Sequence, residues 1–347
     1  QWTFPIVISH HNPDILYVAA NRVFKSIDEG TTWETISPDL TRNDPEKGQP
    51  GGGPISRDVS GAEVYCTIFS LAESYHDPGI LWSGSDDGLV HVSRDNGLSW
   101  TEVTPNGLPK WATISMIELS KHDPSTVYLA AWNYKLDDYS PYLYRTRDEG
   151  KNWEKITTGI PEDEFVRAIR EDPDRPGLLF AGCENGIYVS MDSGTSWQSF
   201  QSNLPVTPIH DLVIKDQDLV VATHGRSFWI LDDLSHLHQL SKETASKACF
   251  LFKPRTTFRT TKILGEIAAE RIGPGKNYWV ALGIPATFLE NQQTDPRINR
   301  TFLDSGETTP NGIIFKYYVK EKHPVDPVIT IYNSDQSVIA KFSGIKK

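Results

Sequence analysis

The stretch Ser93-Arg-Asp95-Asn-Gly97-Leu-Ser-Trp100 decides the fold of this chain, because its pattern occurs four times. Each copy has Ser or Thr, then Asp, Gly and Trp at fixed distances. The other copies are Ser26-Ile-Asp28-Glu-Gly30-Thr-Thr-Trp33, Thr146-Arg-Asp148-Glu-Gly150-Lys-Asn-Trp153 and Ser190-Met-Asp192-Ser-Gly194-Thr-Ser-Trp197. Repetition at a spacing of about 45 to 65 residues predicts a repeat architecture, in which every unit is one supersecondary element.

Each copy lies inside a longer unit that also repeats. The unit begins with an Asp-Pro or Asn-Pro turn, continues with an apolar strand that ends in small residues, and adds a second strand that enters the motif. In the second unit these parts are residues 77–78, 80–84 and 88–92, and a further apolar run, 113–119, precedes the next turn. The corresponding turns of the other units stand at 12–13, 123–124 and 172–173. Four strands per unit predict one blade of a β-propeller.

The predicted fold class is therefore all-β. Residues 1–240 are expected to form a β-propeller segment of about five four-stranded blades, the fifth of them without the motif. The first blade shows no evident innermost strand upstream of Pro5, and most closed propellers have more than five blades, so we expect this segment to be part of a larger propeller. Residues 241–347 are expected to form a small β-sandwich-like module, incomplete at Lys347. Its predicted strands are 277–282, 312–319, 328–332 and 338–342.

The residue types of the motif suit a tight turn between the third and fourth strands. Glycine adopts a positive φ without steric cost, and an Asp carboxylate accepts hydrogen bonds from the N–H groups of its own turn. The Trp is a large apolar anchor that packs over the hairpin. We therefore predict structural and not catalytic roles for Asp28, Trp33, Asp95, Trp100, Asp148, Trp153, Asp192 and Trp197.

Composition excludes several classes of function. The formal net charge is −11 and no basic stripe is present, which argues against a nucleic-acid partner. No run of about 18 apolar residues is present, so we predict no membrane span. The three cysteines are far apart and lack metal-binding spacing, and we predict neither a disulfide framework nor a metal or cofactor site.

Strand alternation places the turn after each second strand, and the connections between blades, on the face opposite the motif. Polar residues on that face suit a sugar or peptide site. Two carboxylates could serve as acid and base in glycoside hydrolysis. The catalytic candidates are Asp58, Asp86 and Glu184, and the ligand-binding candidates are Arg22, Tyr65, Asp87, His224 and Arg226. For Asp87, which precedes Gly88, a hairpin-turn role is the alternative, and for His224 and Arg226 it is a hydrogen-bond network in the last blade.

The motif resembles the Asp-box, or bacterial neuraminidase repeat, of β-propellers in sialidases, xyloglucanase-type glycoside hydrolases and the sortilin receptor domain. The runs 11–42 and 223–234 are similar to large secreted bacterial proteins described as BNR-repeat glycosyl hydrolases or sortilin-like proteins. This resemblance implies a secreted or periplasmic location and a longer parent protein of which this chain is a C-terminal piece. A sialidase is disfavoured, because the Phe-Arg of 258–259 is not followed by the Ile-Pro of that family.

Three functions follow as expectations. The first is the binding of a glycan or peptide on the face opposite the Asp-boxes, as the sortilin type binds peptides without catalysis. The second is glycoside hydrolysis of the xyloglucanase type, which uses an acidic pair in a cleft between two propellers. The third is a structural or assembly role without a ligand. The predicted partners are a glycan or peptide ligand and the remaining propeller blades of the parent chain.

Overall fold

The structure is a computed structural model that describes residues 3–49, 51, 55–56, 64–257, 275–281, 284–291, 299–303, 312–321 and 327–343. The candidate Asp58 lies outside the described residues. The chain divides into two compact units, residues 1–232 and residues 233–347. The repeats occupy the first unit.

The described part of the first unit consists of five successive antiparallel sheets, which we call blades one to five. Blade one contains β1 (Ile6–Ile8), β2 (Leu16–Ala19), β3 (Val23–Ser26) and β4 (Glu34–Thr35). Blade two contains β5 (Ile68–Glu73), β6 (Leu81–Ser85), β7 (Val90–Ser93) and β8 (Thr101–Glu102). Blade three contains β9 (Thr113–Leu119), β10 (Val127–Asn133), β11 (Asp138–Thr146) and β12 (Glu154–Lys155). Blade four contains β13 (Val166–Glu171), β14 (Leu179–Cys183), β15 (Ile187–Ser190) and β16 (Gln198–Ser199). Blade five contains β17 (Ile209–Lys215), β18 (Asp218–Thr223) and β19 (Phe228–Leu231).

The predicted propeller blades are confirmed, with three corrections. Blade one does have its innermost strand, β1, directly after Pro5, because the short run Ile6–Ile8 pairs with β2 although it is briefer than the strands that open the other blades. Blade five has three strands in the described residues. In blade four the turn begins three residues later than the Asp-Pro dipeptide at 172–173 predicted, and Arg175-Pro176 stands where blade three has Asp123-Pro124. There Asp172 takes the place that Ser120 has in blade three, since each backbone N–H closes the same turn.

The hydrophobic core lies in the seams between blades. The first strands of successive blades contact each other in chain order, so β1, β5, β9, β13 and β17 are the innermost strands. Between blades two and three, Trp82 and Ile114 belong to one buried cluster, and between blades three and four Tyr128 and Ile169 belong to another. Because every seam is apolar, each blade is stabilised mainly by burial against its neighbours.

The Asp-boxes have the predicted turn geometry. Asp95 accepts from the backbone N–H of Ser99 at 2.8 Å and from its hydroxyl at 2.6 Å, and Ser93 donates to Asp95 at 2.9 Å. The Ser93 hydroxyl in turn accepts from the N–H of Gly97, whose φ of 89° requires glycine. The same bonds recur around Asp28, Asp148 and Asp192.

The Trp of the box joins two blades, and this goes beyond the packing over its own hairpin that we predicted. The indole Nε1 of Trp100 donates to the carbonyl of Ile36 in blade one at 2.9 Å. Trp153 donates to Val103 in blade two at 2.7 Å, and Trp197 donates to Ile156 in blade three at 2.7 Å. Each acceptor stands three residues after the box Trp of its own blade.

The second unit contains short helices and small sheets in its described residues. The helices are α1 (Ser235–Gln239) and α2 (Lys242–Ser246), which the sequence analysis did not predict. The strands are β20 (Cys249–Leu251), β21 (Gly275–Ala281), β22 (Ile284–Asn291), β23 (Asn299–Phe302), β24 (Tyr317–Val319), β25 (Val328–Tyr332) and β26 (Val338–Ser343). They form the sheets β20-β24, β21-β22-β23 and β25-β26. The turn between β25 and β26 is closed by the bond from the N–H of Gln336 to the carbonyl of Asn333 at 3.0 Å.

Candidate functional site

Four β-bulges in the innermost strands bring side chains together. In β5, Ile68 pairs with Ser85 and Ser70 pairs with Gly84, so Phe69 has no partner in the register. The same skip occurs once in each of β9, β13 and β17. The bulged residues are Phe69, Ser115, Arg167 and His210. A bulge re-aims a side chain, and all four of these line one cleft of about 530 Å³.

The cleft opens on the face that we predicted. Its lining includes Asp86, which follows the second strand of blade two, and Tyr65, which precedes the first strand of that blade. The Asp-boxes connect the opposite ends of the same strands, since every strand pair is antiparallel. The cleft and the Asp-boxes therefore lie on opposite faces of the blades.

Asp86 is a half-buried acid that lines the cleft. Its Oδ1 accepts from the backbone N–H groups of Cys66 at 2.9 Å and Thr67 at 2.8 Å. Within the described residues, no hydrogen bond to Oδ2 is present. Burial raises the pKa of Asp86 to about 6, and the neighbouring Asp87 adds to the rise, while the two N–H groups and Lys135 oppose it. Asp86 can therefore exchange a proton near neutral pH.

The longer hairpin of blade three supplies an aromatic wall. The strands β10 and β11 extend beyond those of the other blades and are joined by the 3₁₀ turn Tyr134–Leu136. The ring of Tyr134 lies 4.6 Å from that of Trp132 and stacks at 4.9 Å on Phe165. The ammonium group of Lys135 lies 5.2 Å from the Trp132 ring. This longer hairpin thus gives the cleft an apolar side and a cation.

Arg167 is held firmly at the edge of this wall. Its Nε and Nη2 both donate to Oε2 of Glu184, at 2.9 Å and 2.6 Å. The guanidinium carbon lies 4.8 Å from the centre of the Phe165 ring. An ion pair and a cation–π contact together fix the orientation of the guanidinium. The candidate Glu184 therefore reaches the site through Arg167.

His210 and the candidate His224 form a second pair at the cleft. Their ring centroids are 4.7 Å apart, and His210 lines the cleft. Burial, followed by the charges of Arg167 and His224, lowers the pKa of His210. The neutral imidazole can donate or accept a hydrogen bond at neutral pH.

Three further candidates lie on the same face, away from the lining of the cleft. Arg22 and Arg226 are exposed in the turns of blades one and five. Asp87 is fully buried, and its carboxylate accepts from the Ser85 hydroxyl at 2.5 Å and from the N–H of Arg42 at 2.7 Å. These contacts give Asp87 a turn and seam role, the alternative that its Asp-Gly sequence suggested.

Sequence reasoning missed Phe69, Lys135, Arg167 and His210. A partial signal existed, because three of these residues directly follow the buried branched residue that begins an innermost strand: Ile68, Val166 and Ile209. The alternation of side chains along a strand does not by itself predict that such a residue points into the cleft. The bulge that turns it there depends on the pairing with the neighbouring strand.

None of the helices in the described residues is long and apolar enough to cross a membrane.

Comparisons with known proteins agree with this architecture. Residues 88–207 match the family model described as Sortilin, neurotensin receptor 3. Xyloglucanase Xgh74A of Acetivibrio thermocellus is 28% identical over 158 residues, which are 39% of this chain and 19% of the relative. Vacuolar protein sorting/targeting protein 10 of Laccaria bicolor is 35% identical over 114 residues, 32% of this chain and 7% of the relative.

Among solved structures, the GH74 xyloglucanase from Xanthomonas campestris aligns with a TM-score of 0.50 and 17% identity, over 66% of this chain and 36% of that chain. At this identity the likeness concerns the fold. The chain thus spans about a fifth of the xyloglucanase relative and about a third of the solved enzyme. The resemblance to xyloglucanase-type and sortilin-like proteins, expected from the Asp-boxes, is confirmed.

Proposed function

We propose that this chain is a ligand-binding segment of a β-propeller and that the bulge-lined cleft is its binding site. The convergence of one bulged side chain from each of blades two to five is the observation that carries the proposal. A bulge leaves a residue unpaired in the ladder, and bulges are frequent beside functional sites. Four at equivalent positions favour a shared function for the side chains over four independent irregularities.

The lining favours an extended polar ligand, a glycan or a peptide. The aromatic rings of Tyr65, Trp132 and Tyr134 offer apolar contact to a sugar ring or a side chain, while Asp86 and Arg167 offer an acceptor and a donor. The volume of about 530 Å³ accommodates a few residues of such a polymer. The matched relatives, named as a xyloglucanase and a sortilin-type receptor, fit the same two ligand classes.

Calorimetric titration with xyloglucan oligosaccharides, other β-glucan oligosaccharides and a panel of short peptides tests this proposal. We expect saturable binding to one class, weakened about tenfold or more by Arg167→Ala, because the truncation removes a half-buried donor of the site. Arg226→Ala is the matched control, since it deletes an exposed arginine on the same face, outside the cleft. Absence of binding, or equal weakening by both substitutions, would refute the assignment of the cleft.

The second candidate is a glycoside hydrolase with Asp86 as the general acid. The raised pKa of Asp86, about 6, favours it, because a general acid must hold its proton near neutral pH. Release of reducing sugar from xyloglucan and β-glucan, and of sialic acid from sialosides, measures turnover. Loss of turnover in Asp86→Asn, Glu184→Gln or Asp58→Asn, with the fold intact, would establish hydrolysis. Saturable binding without turnover would reject hydrolysis and support the binding proposal.

A structural or assembly role remains the third candidate, and it requires that no glycan or peptide binds. From the resemblance we also propose that the chain belongs to a longer protein that is secreted or periplasmic. Immunodetection of the protein in culture medium, periplasm and cytosol of its host tests the location. A purely cytosolic signal would contradict it.

A further inference from the structure

The bulge of blade three lies between two contacts with the preceding blade. Ile114 directly precedes the bulged Ser115 and packs against Gly84 of blade two. Beyond the bulge, the backbone N–H of Ile117 donates to the hydroxyl of Ser70, also in blade two, at 2.9 Å. The two contacts fix the strand on either side of Ser115 and leave the extra residue outside the ladder.

The same arrangement occurs one blade further along the chain. Val166 precedes the bulged Arg167 and belongs to the buried cluster that joins blades three and four. Two residues after the bulge, the N–H of Ile169 donates to the thioether sulfur of Met116 at 3.4 Å. Met116 directly follows the bulge of blade three, as Ser70 directly follows the bulge of blade two. The acceptor therefore stands at the same position of the preceding blade in both cases.

Blade five is held by a longer side chain. The residue of blade four that directly follows the bulge is Ala168, which has no side-chain acceptor. Instead, Nε of Arg170 donates to the carbonyl of Leu212 at 2.7 Å. Its Nη2 donates to Asp211 at 3.1 Å, and the Asp211 carboxylate accepts from the N–H of Leu212 at 2.8 Å. Leu212 stands two residues after the bulged His210, so this bulge too is held from the preceding blade.

These contacts satisfy backbone groups that the sheets leave unpaired. An innermost strand has a ladder partner on one side only, so the N–H groups on its other edge need another acceptor where they are buried. Ile117, Ile169 and Leu212 are between 0% and 4% exposed. An acceptor at this position thus fixes the place at which each strand resumes its pairing after the bulge.

We propose that Ser70 and Met116 are positioning residues of the cleft. By holding the strand of the next blade, they turn Ser115 and Arg167 out of the ladder and into the cleft, although neither of them lines the cleft itself. Blade two is held differently, because Asp86 accepts from two N–H groups shortly before its bulge. That the cleft binds a ligand is the function proposed above, and only the binding part of the test depends on it.

Hydrogen exchange resolved to single amides tests the contacts in the chain without a ligand. Ser70→Ala should accelerate exchange of the Ile117 amide about tenfold, and Met116→Leu that of the Ile169 amide about threefold, because a thioether is the weaker acceptor. Met191→Leu is the matched control, since it makes the same change in the Asp-box of blade four, on the opposite face. Unchanged exchange at both amides, or equal acceleration at Ile169 by both methionine substitutions, would overturn the proposal.

The ring of His210 reports on the position of Arg167, also without a ligand. Burial and then the charge of Arg167 lower the pKa of His210. If Met116→Leu releases the strand and Arg167 moves away, the NMR titration of His210 should shift to higher pH. Met191→Leu should leave the titration in place. An equal titration in all three proteins would show that Met116 does not position Arg167.

Calorimetric titration connects the contacts with binding. The probe is whichever of the xyloglucan oligosaccharides, β-glucan oligosaccharides and short peptides binds the unsubstituted chain. Met116→Leu should weaken this binding about threefold, but should have no further effect in a chain that already carries Arg167→Ala, because it acts through Arg167. Equal weakening in both backgrounds would overturn the positioning role. Absence of binding by every probe would refute the function of the cleft, and the exchange and titration results would then decide the positioning role alone.

Discussion

At the scale of single residues, the carboxylates of the Asp-boxes stabilise their turns most strongly when they are ionised. Hydrogen bonds from the side chain and backbone of Ser99 lower the pKa of Asp95, and bonds from Thr32 and Asn152 do the same for Asp28 and Asp148. A lowered pKa means that the folded state releases the proton at a lower pH than the unfolded chain. The stabilisation is therefore complete above the ordinary value of 3.8 and is lost as the pH falls through the folded pKa.

We accordingly expect the thermal unfolding midpoint to fall steeply below about pH 4, where several boxes are protonated together. Asp95→Ala should lower the midpoint at pH 7 and flatten this acid dependence, because it removes one of the titrating groups. Asp95→Asn keeps an acceptor for the N–H of Ser99 and should lower the midpoint less. Thermal melts followed by circular dichroism from pH 2 to 7 measure both effects. An Asp95→Ala protein with an unchanged midpoint would refute the structural role.

Asp86 should have the opposite effect on stability. Its folded pKa of about 6 lies above its ordinary value of 3.8, so between these values the folded state holds a proton that the unfolded chain has released. Stability then declines as the pH rises from about 4 to 6. Asp86→Asn should remove this decline, a change of roughly 1 to 3 kcal/mol in the unfolding free energy across that range. Urea unfolding of the unsubstituted protein and of Asp86→Asn at pH 4 to 7 measures this change. An equal pH dependence of the unfolding free energy in the two proteins would contradict the raised pKa.

At the scale of strands, neighbouring blades approach each other closely. This restricts the residue type at one position in the second strands of blades two and four, two residues after the aromatic. A Cβ added to Gly84 would lie 2.4 Å from Cγ2 of Ile114 in blade three, and one added to Gly182 would lie 2.7 Å from Ile209 in blade five. These distances are too short for carbon atoms in contact. Ile114 and Ile209, which precede the bulges of blades three and five, thus fill the space that the two glycines leave.

We expect Gly84→Ala to destabilise the protein by about 1 to 3 kcal/mol through overpacking of this seam. Ile114→Ala creates a cavity and is also destabilising, but the double substitution should cost less than the sum of the two single ones, since the new methyl occupies the vacated space. Chemical denaturation of the four proteins gives the coupling energy. A strictly additive double substitution would show that the two residues do not share the seam.

The sequence predicted the blades because their turns are local, and it missed most of the contacts between them. The repeated Asn-Pro and Asp-Pro turns belong to a longer pattern, in which Ser, any residue and His precede the dipeptide, at 9–13, 74–78 and 120–124. The Ser120 hydroxyl accepts from two backbone N–H groups of its turn, and the ring of His122 contacts the carbonyl of Asp172 in the next blade at 2.8 Å. That acceptor lies 50 residues away, which no local pattern reveals.

At the scale of the whole first unit, the face on which the cleft opens could be predicted and the residues that line the cleft could not. Alternation of antiparallel strands assigned Asp86, Glu184 and His224 to one face. Which of these polar residues converge depends on bulges and on the packing of five blades around their inner strands. Asp87 and Arg22 illustrate the limit, because each lies in the turn after the second strand of its blade, yet Asp87 is buried and Arg22 is exposed.

The two faces make a final prediction possible with a matched pair of lysines. Lys135 lines the cleft and its charge opposes the rise in the pKa of Asp86, while Lys151 lies in the Asp-box of the same blade, on the opposite face. Both side chains are exposed, and each alanine substitution changes the net charge equally. Lys135→Ala should weaken ligand binding several-fold and move the pH dependence of binding upward, because Asp86 then holds its proton to a higher pH. Lys151→Ala should change neither. Calorimetric titrations from pH 5 to 8 compare the two, and equal effects would show that long-range charge, and not contact in the cleft, governs binding.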